Sequence, residues 1–370
     1  MRSKGLLIVG TVAASVAGSA LLFGEAPRLP PAAANAPPPS VQAPLDAGYA
    51  DLTKTCKTAL PARGGRGPGG NRGAARGPAP AAGERDVTTT EIPGVIAAGQ
   101  KWTFVWQQAG NNGDGIVGTN DGGLLLAQND SSVVLKLDKN GKPSPAYRDT
   151  HTGGALSMSA KGNRMFVVER GLKQRIELLT PQRKVFADSF NGEPLDCIGG
   201  VINDIVADSK GGAYFTMGGL FYADKTGKIT RYGENLTTNG VTLSPDEKVL
   251  YVTNGQTLAA FDVQADGSLT NQREHAKFSA GGGDGMTIDG KGNVWVTTGA
   301  GVEVITPDGK TLGVIQTPRG VITCAFGGKD KKTLFILARG AKDADGMEVA
   351  NAAQVWTIPT IAQGYKGRAK

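Results

Sequence analysis

The sequence has few of the residues that build metal sites from nitrogen and sulfur. Its 370 residues contain two histidines, His151 and His275, and three cysteines. Two histidines cannot supply a zinc site with three histidine ligands. Three cysteines without a Cys-x-x-Cys spacing exclude a cysteine metal site and a dense disulfide framework.

The three cysteines, Cys56, Cys197 and Cys324, still allow one disulfide in an oxidising compartment. The sequence does not say which two would pair. Cys324 lies in the apolar run Ile322-Thr-Cys-Ala-Phe, which is typical of a small buried apolar residue.

The chain also lacks a strong charge outside its first quarter. Residues 1–92 hold ten Lys/Arg against six Asp/Glu, which gives +4 of the formal net charge of +7 and leaves +3 for the other 278 residues. A surplus that small does not indicate a polyanionic partner. We therefore expect no nucleic-acid binding.

The first residues resemble an export signal. Met1-Arg-Ser-Lys is basic, an apolar run of 18 residues follows from Leu6 to Phe23, and small residues follow at 32–34. We expect a signal peptide within residues 1–36 and an exported, periplasmic or secreted protein. The apolar run is also just long enough to span a bilayer, so an uncleaved membrane anchor remains the alternative.

Residues 37–90 are rich in Pro, Gly and Arg, and the run 61–83 has almost nothing to bury. Such composition is typical of a disordered tether. An Arg/Gly run can bind RNA, but a solvated linker fits an exported protein better. The piece from Gly48 to Leu60, which contains Cys56, either docks on the following domain or has no role.

From Glu91 onward the chain consists of short alternating strands separated by turn residues, and it contains an internal repeat. The gaps between successive repeat starts are 41, 48, 36, 45 and 39 residues, close to a four-stranded propeller blade. The six repeat starts are Asp114, Ala155, Asn203, Asn239, Asp284 and Thr323.

Six repeats predict an all-β fold, a six-bladed β-propeller over residues 91–364. The segment from Gly94 to Trp106 has no repeat start of its own. We expect it to supply an outer strand that pairs with Gln354–Pro359, because an open ring would leave an unpaired sheet edge.

The first strand of each propeller blade lines the central channel, so the repeat starts should converge at one mouth. Four of them carry side-chain oxygen, namely Asp114, Asn203, Asn239 and Asp284. Two carboxylates and two amides form a hard-oxygen set suited to one Ca²⁺, with Mg²⁺, Mn²⁺ and Zn²⁺ as alternatives. Asn and Asp before Gly are also ordinary turn formers. Each repeat, however, has separate turn residues further on.

The repeats resemble the SMP-30/gluconolactonase/LRE family, whose members are six-bladed propellers with one axial divalent metal that hydrolyse sugar lactones and related esters. The similar stretches begin at Asn203, Asn239, Asp284 and Cys324, and the resemblance covers about residues 104–340. Three motifs in order with matching spacing make it specific.

This resemblance implies that Asn239 and Asp284 are metal ligands and that Asn203 binds the metal or the substrate. It also implies that Asp284 is the general base. Where the family usually has Glu before Gly-Pro, this chain has Asp114-Gly-Ile. A side chain one methylene shorter must draw the metal toward it or reach it through water.

The substrate pocket departs further from the family pattern. Val201 replaces an Arg of some members, Gly154 replaces a frequent Asn, and Arg170 replaces a frequent His. His151 and Arg170 are candidate substrate-binding residues if they face the channel. A loop His and a surface Arg are otherwise ordinary solvent-exposed groups.

The sequence therefore predicts a monomeric enzyme that hydrolyses a lactone or small ester with a bound metal ion. One alternative is a non-catalytic Ca²⁺-binding propeller that binds a ligand or partner protein. Another is a metal-dependent lyase or isomerase acting on a sugar-derived substrate, since propellers host many functions.

Overall fold

The computed structural model of the chain describes residues 25–30, 40–57, 60, 83–109, 113–159 and 163–370. The apolar run at 6–23 and nearly all of the Arg/Gly-rich run at 61–83 lie outside these ranges. Within the described ranges, no helix reaches the length and apolarity needed to cross a bilayer.

The described strands form six four-stranded antiparallel sheets, with one short extra hairpin. A lone strand comes first, β1 (Thr103–Ala109). Blade one contains β2 (Gly113–Gly118), β3 (Leu124–Gln128), β4 (Val133–Leu137) and β5 (Pro143–Arg148). Blade two contains β6 (Gly153–Met158), β7 (Met165–Glu169), β8 (Arg175–Thr180) and β9 (Lys184–Ala187). The extra hairpin is β10 (Ser189–Phe190) and β11 (Glu193–Pro194).

The other four blades follow the same order. Blade three contains β12 (Ile205–Ala207), β13 (Ala213–Thr216), β14 (Leu220–Ala223) and β15 (Ile229–Tyr232). Blade four contains β16 (Thr238–Leu243), β17 (Val249–Asn254), β18 (Thr257–Val263) and β19 (Leu269–Lys277). Blade five contains β20 (Met286–Ile288), β21 (Val294–Thr298), β22 (Gly301–Ile305) and β23 (Thr311–Ile315). Blade six contains β24 (Val321–Gly327), β25 (Thr333–Lys342) and β26 (Glu348–Pro359).

The ring closes as the sequence predicts. Strand β1 pairs antiparallel with β26 as the fourth strand of blade six, with Thr103 opposite Thr357. The first and last parts of the propeller therefore share one sheet, which removes the free edge that an open ring would expose. The all-β, six-bladed prediction is confirmed.

Among the described residues, six apolar clusters form the core of the ring, one between each pair of neighbouring blades. A small seventh cluster joins Leu29 to Ala341 and Ala352. Successive residues of one inner strand serve two clusters: Ile116 packs toward blade six and Val117 toward blade two. Because side chains alternate across a strand, both faces of each sheet must be apolar. This explains continuous apolar runs such as β3, in which all five residues are buried.

Part of the predicted linker packs on the propeller. Residues 40–57, named the strap from here on, contain a 3-10 helix (Ala43–Leu45) and helix α1 (Tyr49–Thr53). A second 3-10 helix (Leu195–Ile198) contains Cys197, which forms a disulfide with Cys56 of the strap. Cys324 is buried and free.

Removing this disulfide should lower the stability of the protein. The bond closes a sequence separation of 141 residues, and bonds of this type contribute about 2–4 kcal/mol. We expect the Cys56→Ser, Cys197→Ser protein to lose about that much unfolding free energy in a denaturant titration. Wild-type protein in reductant should match it. Equal unfolding curves for all three samples would show that the bond carries no stability.

Candidate functional site

The four oxygen-bearing repeat starts line one cavity on the propeller axis. Asp114, Asn203, Asn239 and Asp284 surround it together with backbone of the inner strands. Asp114 and Asn239 are each the second residue of an inner strand, β2 and β16. Asn203 and Asp284 lie two residues before β12 and β20. The cyclic fold thus brings together side chains that are far apart in the chain.

The glycines that follow three of these residues are required by close backbone packing around the axis. A Cβ on Gly115 would overlap backbone of blade two, a Cβ on Gly240 would overlap the Asp284 carbonyl oxygen, and a Cβ on Gly285 would overlap Thr323. None of the three glycines has a left-handed φ. The Asp-Gly and Asn-Gly pairs therefore lie in or just before inner strands of a crowded channel, and close packing accounts for their glycines.

A β-bulge in each of two inner strands orients the side chains of Asp114 and Asn239. The β2–β3 register shifts between Gly113 and Ile116, and the β16–β17 register shifts between Thr238 and Val241. In each case the inner strand has one more residue than its partner, so the strand bulges at Asp114-Gly115 and Asn239-Gly240. A bulge re-aims the side chain at the site of the extra residue.

Buried threonines at the end of the second strand of a blade form hydrogen bonds with the irregular backbone of the inner strands. Thr297 Oγ1 donates to the Gly285 or Ile322 carbonyl at 2.9 Å, and the Asp284 amide donates to the Thr297 carbonyl at 2.8 Å. The Asn239 amide donates to Thr253 Oγ1 at 3.0 Å. The recurrent Tyr-Phe-Thr, Tyr-Val-Thr and Trp-Val-Thr strand ends of the sequence thus position the site.

Arg170 is an internal partner of Asp114. Its side chain is 4% exposed, and its guanidinium forms an ion pair with the Asp114 carboxylate. Nε also donates to the Ile202 carbonyl at 2.7 Å, and Nη2 donates to the Asn203 carbonyl. Nη2 also donates to Asn203 Oδ1 at 3.4 Å. Arg170 therefore holds Asp114 and both the backbone and the side chain of Asn203.

The space for this guanidinium exists because blade two starts with glycine. A Cβ on Gly154 would overlap Arg170 Nε and Cζ. Gly154 and Arg170 both depart from the family pattern. The two departures are linked, because the guanidinium of Arg170 occupies the space that a side chain at position 154 would fill. A larger residue at position 154 would displace the guanidinium from Asp114.

Asp284 is a carboxylate of perturbed acidity in the axial cavity. Burial, followed by the charge of Asp114, raises the pKa of Asp284 to about 7. Arg339 opposes this shift from β25, with its Nη2 3.3 Å from Asp284 Oδ2. The Arg339 side chain is 55% exposed, so this ion pair is open to solvent.

A third carboxylate, Asp204, lies in the same cavity and was not anticipated from the sequence. Asp204 Oδ2 is 2.5 Å from Lys370 Nζ, and the Lys370 side chain is 8% exposed. Arg339 was missed as well. No local pattern marks these residues, because each partner comes from a distant part of the chain.

The donor set fits a divalent cation. Carboxylate and amide oxygens converge on one cavity, where burial, followed by the charge of Asp114, raises the pKa of Asp284. Asn203, Asn239 and Asp284 are the residues best placed to hold an ion. Asp114 could join them only by giving up Arg170. Its role as a ligand stays a prediction.

His151 lies outside the residues described as lining the cavity. It is exposed on the turn before β6, and its carbonyl accepts hydrogen bonds from the amides of Arg170 and Gly171 at 3.1 and 2.9 Å. Burial of the ring, followed by the charge of Arg175, lowers the His151 pKa. Its backbone supports Arg170, while a substrate contact of the ring stays a prediction.

The strap lies at the same end of the propeller as the four oxygens. The end of β3 is opposite the start of β2, with Gln128 paired to Gly113. Beyond it, the Asn129 carbonyl accepts from Ser40 Oγ at 2.6 Å. The amide of Ala43 donates to the Arg170 carbonyl at 2.7 Å. The strap thus covers the entrance side of blades one to three.

The comparison with protein families agrees with this architecture. Residues 148–340, about half of the chain, match the family described as the SMP-30/Gluconolactonase/LRE-like region. The chain is 27% identical over 242 residues to a gluconolactonase of Zymomonas mobilis, covering 56% of this chain and 67% of the relative. It is 30% identical over 236 residues to the lactonase drp35 of Staphylococcus haemolyticus, covering 55% and 69%.

Among solved structures, the chain is similar to a gluconolactonase from Xanthomonas campestris. The TM-score is 0.61 at 21% sequence identity, and the alignment covers 77% of this chain and 99% of that one. At this identity the similarity concerns the fold.

Proposed function

Because the chain belongs to the SMP-30/Gluconolactonase/LRE-like family, we propose that it hydrolyses a lactone with the help of a divalent metal ion at the axial mouth of the propeller. The observation that carries the proposal is the convergence of Asn203, Asn239 and Asp284 on one cavity. Relatives that are a gluconolactonase and a lactonase support the reaction class.

A divalent ion held by Asn203, Asn239 and Asp284 would polarise the lactone carbonyl and stabilise negative charge on its oxygen. Asp284 has a second carboxylate oxygen that can accept the proton of the attacking water. Water adds to the carbonyl carbon, the ring C–O bond breaks, and the ring oxygen leaves with a proton as a hydroxyl. This transfer of a proton to a positioned carboxylate is general base catalysis.

Two arginines have different roles in this proposal. Arg170 is buried and bound by protein oxygens, so it positions Asp114 and Asn203. Arg339 is half exposed at the mouth beside Asp284. It is the cation that can move to hold the carboxylate that forms when the lactone ring opens.

Ca²⁺ and a sugar lactone are the finer parts of the proposal. All candidate ligands are oxygens, which favours Ca²⁺ over softer ions. The gluconolactonase relative supports a sugar lactone. Its match covers only 56% of this chain, so the substrate needs a direct test.

Acid release from a panel of five- and six-carbon aldonolactones tests the proposal. The full chain is stripped with a chelator, dialysed, and assayed before and after addition of Ca²⁺, Mg²⁺, Mn²⁺ or Zn²⁺. We expect turnover above the spontaneous rate, lost on stripping and restored by one of these ions. Buffer with each ion alone gives the background.

Two results would contradict the proposal in different ways. Undiminished turnover after stripping would remove the metal from the mechanism. Stoichiometric metal binding with no turnover on any lactone would favour the non-catalytic propeller.

A further inference from the structure

The end of the axial channel opposite the mouth is closed by residues 360–370, named the closing segment. The Tyr365 amide donates to the Ile288 carbonyl at 3.0 Å, and Arg368 Nη1 donates to the Leu243 carbonyl at 3.1 Å. The Met158 amide donates to the Ala369 carbonyl at 2.9 Å. These partners lie in blades five, four and two, so the segment crosses the channel and places Lys370 at the axial cavity.

Lys370 lies at the closed end of the axial cavity. Its ammonium donates to Asp204 Oδ2 at 2.5 Å and to the Ile205 carbonyl at 3.1 Å. Its own carbonyl accepts a hydrogen bond from Thr287 Oγ1 at 2.9 Å. Lys370 lines the same cavity as Asn203 and Asp284. The Lys370 side chain is therefore held by the protein at the closed end of the cavity.

Both carboxylate oxygens of Asp204 accept hydrogen bonds from the protein. Oδ2 accepts from the Val241 amide at 2.8 Å as well as from Lys370, and Oδ1 accepts from the Ile205 amide at 2.8 Å. Asp204 lines the same cavity as Asn203, so it is near enough to compete for the ion. Its present partners occupy both of its oxygens.

Each carboxylate of the axial cavity has a protein cation beside it. The pairs are Asp114 with Arg170, Asp284 with Arg339, and Asp204 with Lys370. Arg339 is half exposed and can be displaced toward solvent, whereas Lys370 is buried and held by the closing segment. An ion entering from the mouth could therefore displace Arg339 from Asp284, whereas Lys370 would stay bound to Asp204.

We propose that Lys370 is a built-in counter-ion that holds Asp204 out of the metal site and thereby weakens the affinity of the site for divalent cations. The inference rests on the metal site of the proposed function and adds a positioning residue to it. Lys370 opposes the ion twice, through charge repulsion and through its hold on Asp204.

Lys370→Met should separate this role from a merely structural one. The change removes the charge and keeps a long apolar chain. It leaves Asp204 buried without its cation, so the metal-free protein should unfold at a lower temperature. The metal affinity should rise by about tenfold or more, because one positive charge is lost beside a divalent ion. A purely structural role would lower both stability and affinity.

Calcium titration by calorimetry at pH 8, with thermal unfolding of stripped and Ca²⁺-loaded samples, provides the test. Lys366→Met is the matched control, because it removes the same charge from an exposed site of the closing segment. It should leave the affinity unchanged within about twofold. Asp204→Asn combined with Lys370→Met should abolish most of the gain, since the released carboxylate is then absent.

The outcomes separate this inference from the proposed function. Tighter Ca²⁺ binding in Lys370→Met, with a larger Ca²⁺-induced rise in unfolding temperature, supports the inference. If the wild-type protein binds Ca²⁺ and Lys370→Met leaves the affinity unchanged or lowers it, the inference is wrong and the proposed metal site is unaffected. An absence of divalent-ion binding in the wild-type protein overturns the metal site and the inference with it.

Discussion

We expect the replacement of Asp284 with Asn to lower kcat for lactone hydrolysis by about 10³-fold and to leave the propeller folded. The amide keeps an oxygen for the metal but cannot accept a proton from water. The loss should appear mainly in kcat because the proton transfer belongs to the transition state. Steady-state acid release, measured with saturating metal, gives the value.

Asp308→Asn is the matched control for this change. Asp308 is exposed on the β22–β23 turn of the same blade, where its carboxylate accepts from Thr306 and Lys310. Its replacement should leave kcat within about twofold, as expected for a surface substitution. An Asp284→Asn protein that retains metal and full activity would remove Asp284 as the base.

We expect the replacement of Gly240 with Ala to lower the unfolding free energy by about 2–3 kcal/mol and to reduce activity. The new methyl group would overlap the Asp284 carbonyl oxygen, which belongs to the backbone and cannot turn aside. Blade five must therefore move away from blade four at the axis, and Asp284 moves with it. Denaturant titration and acid release measure the two effects.

Gly320→Ala is the control for the extra methyl group. A Cβ at Gly320 meets no atom within 4 Å, and Gly320 has no left-handed φ. We expect an effect within about 0.5 kcal/mol and unchanged activity. Equal stability and activity of the Gly240→Ala and Gly320→Ala proteins would show that the crowding around the axis has no consequence.

The architecture could be predicted because each blade repeats a local pattern. The spacing from Asp114 to Thr323 gives six first strands, and the structure has an inner strand at each repeat start. The closing pair of β1 with β26 followed from the need to remove a free edge. Because the same pattern recurs in every blade, this fold can be predicted from a single sequence.

The convergence of Asp114 with Asn239 and Asp284 could be predicted for the same reason. All three occupy the same place in their repeats, so the fold's symmetry brings them together. The sequence did not reveal why glycine follows these residues, because a turn and a crowded backbone both favour glycine. Only the φ values and the overlaps of a Cβ separate the two explanations.

The cations of the site could not be predicted, because they lie outside the repeat pattern. Lys370 reaches Asp204 from the closing segment, 166 residues away in sequence, and Arg339 reaches Asp284 across 55 residues. The pairing of Cys56 with Cys197 was likewise one of three possibilities. The one usable signal was Gly154, whose missing side chain makes room for Arg170.

Anomalous diffraction from crystals grown with Mn²⁺ in place of Ca²⁺ tests the central claim most directly. We expect one strong peak in the axial cavity, about 2.1–2.6 Å from side-chain oxygens of Asn239 and Asp284. A cavity without a peak, in crystals that bind Mn²⁺ elsewhere, would contradict the account.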